Sequence, residues 1–80
     1  MTAAQFSRFR PMDQEQLAKT GGVWIACRQE PEFIIHLYQF PDFYVELFYH
    51  QIKKTAVHIR SFTDLRGLDG YLNGIAAGFD

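Results

Sequence analysis

Four runs rich in β-branched and aromatic residues fill the middle of the chain: VWIACRQ (23–29), FIIHLYQ (33–39), FYVELFYH (43–50) and TAVHIRSF (55–62). Turn-forming or polar residues separate them, namely Glu30-Pro31-Glu32, Pro41-Asp42 and Gln51 to Lys54. This composition predicts strands. The connections are short, so consecutive strands are expected to pair antiparallel in a meander.

A helical pattern flanks the strands on each side. In PMDQEQLAKTGG (11–22), Asp13 is placed to cap a helix, with Gln16 three residues on. Met12 and Leu17 hold the two positions of a hydrophobic staple, and Gly21-Gly22 stop the helix. A helix this short is unstable alone and has to dock through Leu17 and its neighbours. After the strands, the spacing predicts a second helix over 64–75, with Ser61 or Thr63 as cap and Asp64 in the first turn. Leu65, Leu68, Leu72 and Ile75 then share one face, and Gly67, Gly70 and Gly74 the opposite one. An exposed helical glycine costs about 1 kcal/mol relative to alanine. The three glycines therefore mark either close approach of a neighbouring chain or a weak helix held by its leucines. Residues 1–10 and 76–80 read as flexible tails of a single domain over 1–80. The expected class is α+β: a four-stranded antiparallel meander with a short N-terminal helix and a C-terminal helix packed on one sheet face.

Strand side chains alternate between faces, so odd and even positions separate. The odd set is almost purely aliphatic: Val23, Ile25, Cys27; Phe33, Ile35, Leu37; Val45, Leu47, Tyr49; Val57, Ile59. A three-residue loop at 41–43 pairs Leu37 with Leu47, and a five-residue loop at 50–54 pairs Leu47 with Val57. Both registers keep odd with odd, whereas a one-residue slip brings Glu46 into the core. The odd face is thus expected to receive the C-terminal helix. The even face then gathers Trp24, His36, Tyr38, Tyr44, Glu46, Phe48, His58 and Arg60, with Glu46 partnered by His58 or Arg60.

Composition sharpens the question of what covers that second face. A chain of 80 residues that is 48% hydrophobic and 16% aromatic has apolar surface to spare. A domain of this size buries only about 60–65% of the surface its unfolded chain exposes. The surplus is expected to be covered by a partner. The net charge is −1 and the basic residues are scattered, which excludes the positive stripe of a duplex DNA binder. Cys27 is the one cysteine, so no internal disulfide or cysteine-rich metal site is possible, and its odd parity places it away from the histidines. The opening MTAAQFSRFRP lacks the apolar core of a secretory signal, and no run approaches the roughly 18 apolar residues of a membrane span. A cytoplasmic protein without membrane attachment is the expectation.

No motif in the chain carries catalysis. The glycines at 67, 70 and 74 match neither a dinucleotide nor a phosphate-loop spacing, and no nucleophile accompanies a Glu46–His58 pair. His36, Glu46 and His58 form no helical metal-binding pair. No cofactor, metal or catalytic residue is therefore expected. The eight residues of the even face point to a small non-catalytic interaction module that homodimerises through them. The alternative is a platform on which single-stranded nucleic acid or a small ligand stacks. The order of strands and following helix resembles that of the Whirly and PUR single-strand-binding folds, in element order alone.

Overall fold

The computed structural model describes residues 1–71. Helices α1 (Ala3–Ser7) and α2 (Pro11–Gly21) precede β1 (Val23–Gln29), β2 (Phe33–Gln39), β3 (Tyr44–His50) and β4 (Ala56–Phe62). A 3₁₀ turn (Leu65–Leu68) then leads into a helical turn at 69–71. The strands form one antiparallel sheet in the order β1-β2-β3-β4. This is the α+β meander expected from the short connections. Residues 72–75 of the expected helix at 64–75, and the expected tail at 76–80, lie outside the described residues.

The first ten residues are not the tail that was expected. Thr2 caps α1 by accepting from the Gln5 N–H at 3.1 Å, while the Gln5 side chain accepts from the Thr2 N–H at 2.9 Å. One turn closed this way is too short to persist alone. It is held because Phe6, 1% exposed, inserts into the core, and because Gln14 of α2 donates to the Phe6 carbonyl at 3.0 Å.

Helix α2 begins earlier than the Asp13 cap implied. Arg10 is the cap residue and Pro11 the first helical one, which suits a proline with no N–H to satisfy. Met12 is consequently inside the helix and 81% exposed, so it makes no staple with Leu17. The helix stops at Gly22, whose N–H bonds the Ala18 carbonyl at 3.1 Å. A Cβ there would lie 2.9 Å from both that carbonyl oxygen and the Phe40 ring, so only glycine fits.

Loop size sets the register, and it differs from the expected one. Phe40 N–H bonds the Phe43 carbonyl at 2.8 Å, closing a two-residue loop, Pro41-Asp42, in place of the three-residue loop at 41–43. Leu37 accordingly faces Glu46 rather than Leu47. The β1–β2 hairpin closes the same way, with Glu30 and Phe33 exchanging hydrogen bonds around Pro31-Glu32. At the third hairpin His50 and Thr55 close a four-residue loop, with Lys54 at a φ of 61°, and a bulge follows beside Phe48 and Tyr49. Loop and bulge together move β4 by two residues, which preserves parity and sets Arg60, not His58, opposite Glu46. β2 is thus turned over relative to its neighbours, and the odd set is divided between the two faces.

Each face carries its own core. On the helix face, Phe6, Ala18, Phe40, Phe43, Val45 and Leu47 pack together, with the Phe40 and Phe43 rings stacked at 4.6 Å. On the other face, Ile35, Leu37 and Tyr71 are buried, with Ala26, Phe33, Tyr44, Phe48, Phe62 and Leu68 around them. The C-terminal segment therefore covers the face that holds Glu46. Leu65, expected on its buried side, is 66% exposed. Gly67, expected on its outer side, lies against Phe62, where a Cβ would meet the ring at 2.4 Å. The 3₁₀ winding accounts for both, because three residues per turn rotate the face that an α-helix would present.

Candidate functional site

The eight residues expected on one face lie on two. Tyr44, Glu46, Phe48, His58 and Arg60 share the face covered by Tyr71, whereas Trp24, His36 and Tyr38 share the helix face. The separation follows from the inverted β2, since directly opposed residues project to the same side.

The first group is built around Glu46, which is fully buried. Its carboxylate accepts from Arg60 Nη1 at 3.0 Å, Arg28 Nη2 at 3.3 Å and the Tyr71 hydroxyl at 2.7 Å. Arg28 is bonded to Glu30 as well and lies over the Tyr71 and Phe48 rings. Two arginines and two glutamates balance in charge. Burial, reinforced by the hydrogen bond to Glu46 and its charge, holds the Tyr71 phenol well above its ordinary range, so it remains a donor. Among the described residues no buried side-chain nitrogen or oxygen lacks a hydrogen-bond partner. The chain's own groups saturate Glu46, so the cluster pins the C-terminal segment to the sheet rather than offering a vacant acid.

The second group lies where β1 meets α2. Trp24 Nε1 donates to His36 Nδ1 at 2.9 Å, and the His36 ring meets Tyr49 edge-on at 5.5 Å. The Tyr49 hydroxyl donates to Glu15 at 3.0 Å, and Lys19 donates to the same carboxylate oxygen at 2.8 Å. That lysine lowers the Glu15 carboxyl, and Glu15 in turn raises the Lys19 ammonium. Burial, then the Lys19 charge, lowers His36 below the ordinary histidine range. The row ends in solvent at Trp24, which is 51% exposed between Val23 at 65% and Ile25 at 40%.

Comparison with known proteins supplies no relative. No family model matches the chain, and no curated protein or solved structure matches it. The surfaces stand on their own chemistry.

Strand β1 lies at the edge of the sheet and bulges between Trp24 and Ala26. The bulge carries Cys27 directly opposite His36 and leaves it exposed, where odd parity implied a buried thiol far from any imidazole. Val23 and Ile25, also expected in the core, are exposed on this edge strand. His36 is on the opposite side of the sheet from Glu46 and His58, so the three do not converge. A recess of about 390 Å³, of mixed polar and apolar lining, runs between the start of α2 and β4, where Pro11, Met12, Val57 and Ile59 meet Gln14, Glu15 and His58.

Glu15, Lys19 and Tyr49 complete the Trp24 corner, and sequence reasoning did not include them. The Glu15–Lys19 spacing is a legible helical ion pair. Its position against Tyr49 of β3 is not, because it depends on which sheet face α2 covers.

Proposed function

We propose that this chain is a small non-catalytic interaction module that forms a homodimer, with the contact built on the β1 edge around Trp24. The exposure of Val23, Trp24 and Ile25 carries the reading: three consecutive large apolar residues on an edge strand are open to solvent. Edge strands present unpaired backbone groups, which a second strand satisfies. Trp24 has the character of an interface anchor, a large ring already held in place by His36. A two-fold axis beside β1 sets the same apolar residues of two copies against each other, the commonest closure for a small protein. Trp24, His36 and Tyr38 of the expected interface belong to this surface. A cytoplasmic setting is part of the reading, and an exposed, unpaired Cys27 thiol suits a reducing compartment.

Sedimentation equilibrium at micromolar concentration, with the absorbance ratio of the purified protein, tests it. The expected result is a dimer free of nucleic acid that Trp24→Asp converts to monomer and Val57→Lys, in the α2–β4 recess, does not. A monomer that carries nucleic acid supports the stacking platform instead. A dimer broken by Val57→Lys alone moves the contact to the recess.

A further inference from the structure

We propose that His36 is an acid-released lock on Trp24. While Nδ1 is unprotonated it accepts the indole N–H and holds the ring at the β1 edge, and protonation of His36 frees the ring. The lock stands on geometry within one chain. Only its consequence, that acid weakens the dimer, rests on the self-association reading above.

An indole nitrogen is a donor and never an acceptor. Trp24 Nε1 lies 2.9 Å from His36 Nδ1, so Nδ1 presents its lone pair and the single proton of the neutral ring sits on Nε2. The imidazolium has no acceptor left. Binding a proton and binding the indole at Nδ1 are therefore mutually exclusive, because two N–H groups would otherwise meet at that distance.

The surroundings do not compensate a charged His36. Cys27 faces it from β1 and the Tyr49 ring from β3. Lys19 and Glu15 are the charged groups at this corner from α2, and Glu15 is already bound by both Lys19 and the Tyr49 hydroxyl. The Lys19 charge opposes a second cation nearby, and burial acts in the same direction. The lock thus holds at neutral pH and opens on acidification.

Trp24 is the one tryptophan of the chain, so its indole N–H gives a single side-chain peak in a proton–nitrogen correlation spectrum. On titrating the full chain from about pH 8 to about pH 4.5, that peak is expected to move in one step with its midpoint below about 6.5. His36→Gln keeps an acceptor oxygen without a titrating ring and is expected to abolish the step. A wild-type peak that does not move, or a step that survives in His36→Gln, overturns the lock. If the variant does not fold, the imidazole nitrogen shifts of the wild type decide, and a proton found on Nδ1 at about pH 8 is fatal to the proposal. Sedimentation across the same titration separates the two readings. A step in a chain that is monomeric throughout keeps the lock and removes self-association. A dimer with no step does the reverse.

Discussion

Arg60 stands directly opposite Glu46 across the β3–β4 ladder and donates to it at 3.0 Å, at a position where Glu46 has no exposed surface. Breaking a fully buried ion pair costs about 3–5 kcal/mol. Here the side chains of Arg28 and Arg60 are 26% and 47% exposed, so water reaches them once the carboxylate is gone and the cost is smaller. Glu46→Gln also places an amide donor among two guanidinium groups that can only donate, leaving the Tyr71 hydroxyl as the one partner able to accept. The expected loss is about 2–3 kcal/mol in urea melts. Arg60→Ala is expected to cost about 1 kcal/mol, because Arg28 and Tyr71 still hold the carboxylate. Equal effects of the two changes would mean that Glu46 is not the centre of the cluster.

Phe6 tests whether α1 belongs to the folded unit. It is 1% exposed and packs on Phe40 and Phe43 at ring separations of 5.9 and 5.6 Å. Phe6→Ala should destabilise by about 3–5 kcal/mol, a large part of the stability of a chain this size. Phe9, in the same segment but 43% exposed, should lose less than about 0.5 kcal/mol on the same change. Similar small values for both would return 1–10 to the status of a tail.

The β1 bulge has a chemical signature at Cys27. With the strand shifted at Ile25 the thiol faces outward, so a thiol reagent should label the native protein fully without denaturant. Labelling that waits for unfolding would place Cys27 in the core and remove the bulge.

Stability should fall with pH in two stages. His36 is lowered by burial and then by Lys19, so between its folded value and about 6.5 the unfolded chain binds more protons. The stability it contributes is complete above about 6.5 and is lost as pH falls through the lowered value. Glu15, lowered first by its hydrogen bond from Lys19, adds a further loss below its ordinary value of 4.5. Urea midpoints measured across this range should drop in both windows, and His36→Gln should erase the upper one only. An upper drop that persists in the variant would assign it to another group.

Local chemistry settled the strands, though not α1, which was expected to be part of a tail. The β-branched and aromatic runs, broken at Pro31, Pro41 and the Gln51–Lys54 turn, fixed four strands to within a residue, because strand preference and turn formation act over neighbouring residues. The antiparallel meander followed, since connections of a few residues permit nothing else. That Glu46 needs a cationic partner on β4 was legible too, since a lone carboxylate amid aromatics on a strand needs a cation beside it. The choice of Arg60 over His58 came from the register. The sides of the sheet were not legible. Whether Phe40 and Phe43 flank a two-residue loop or a longer one changes β2 by one position, and one position turns every side chain over. What decides between them is the fit of Phe40 and Phe43 against Phe6 and Ala18, contacts that link α1 and α2 to the β2–β3 hairpin. The bulge at Ile25 and the 3₁₀ winding after Phe62 are likewise compromises among packed elements. Side-chain type and spacing specify which segments form, and only their mutual packing determines which face each one buries.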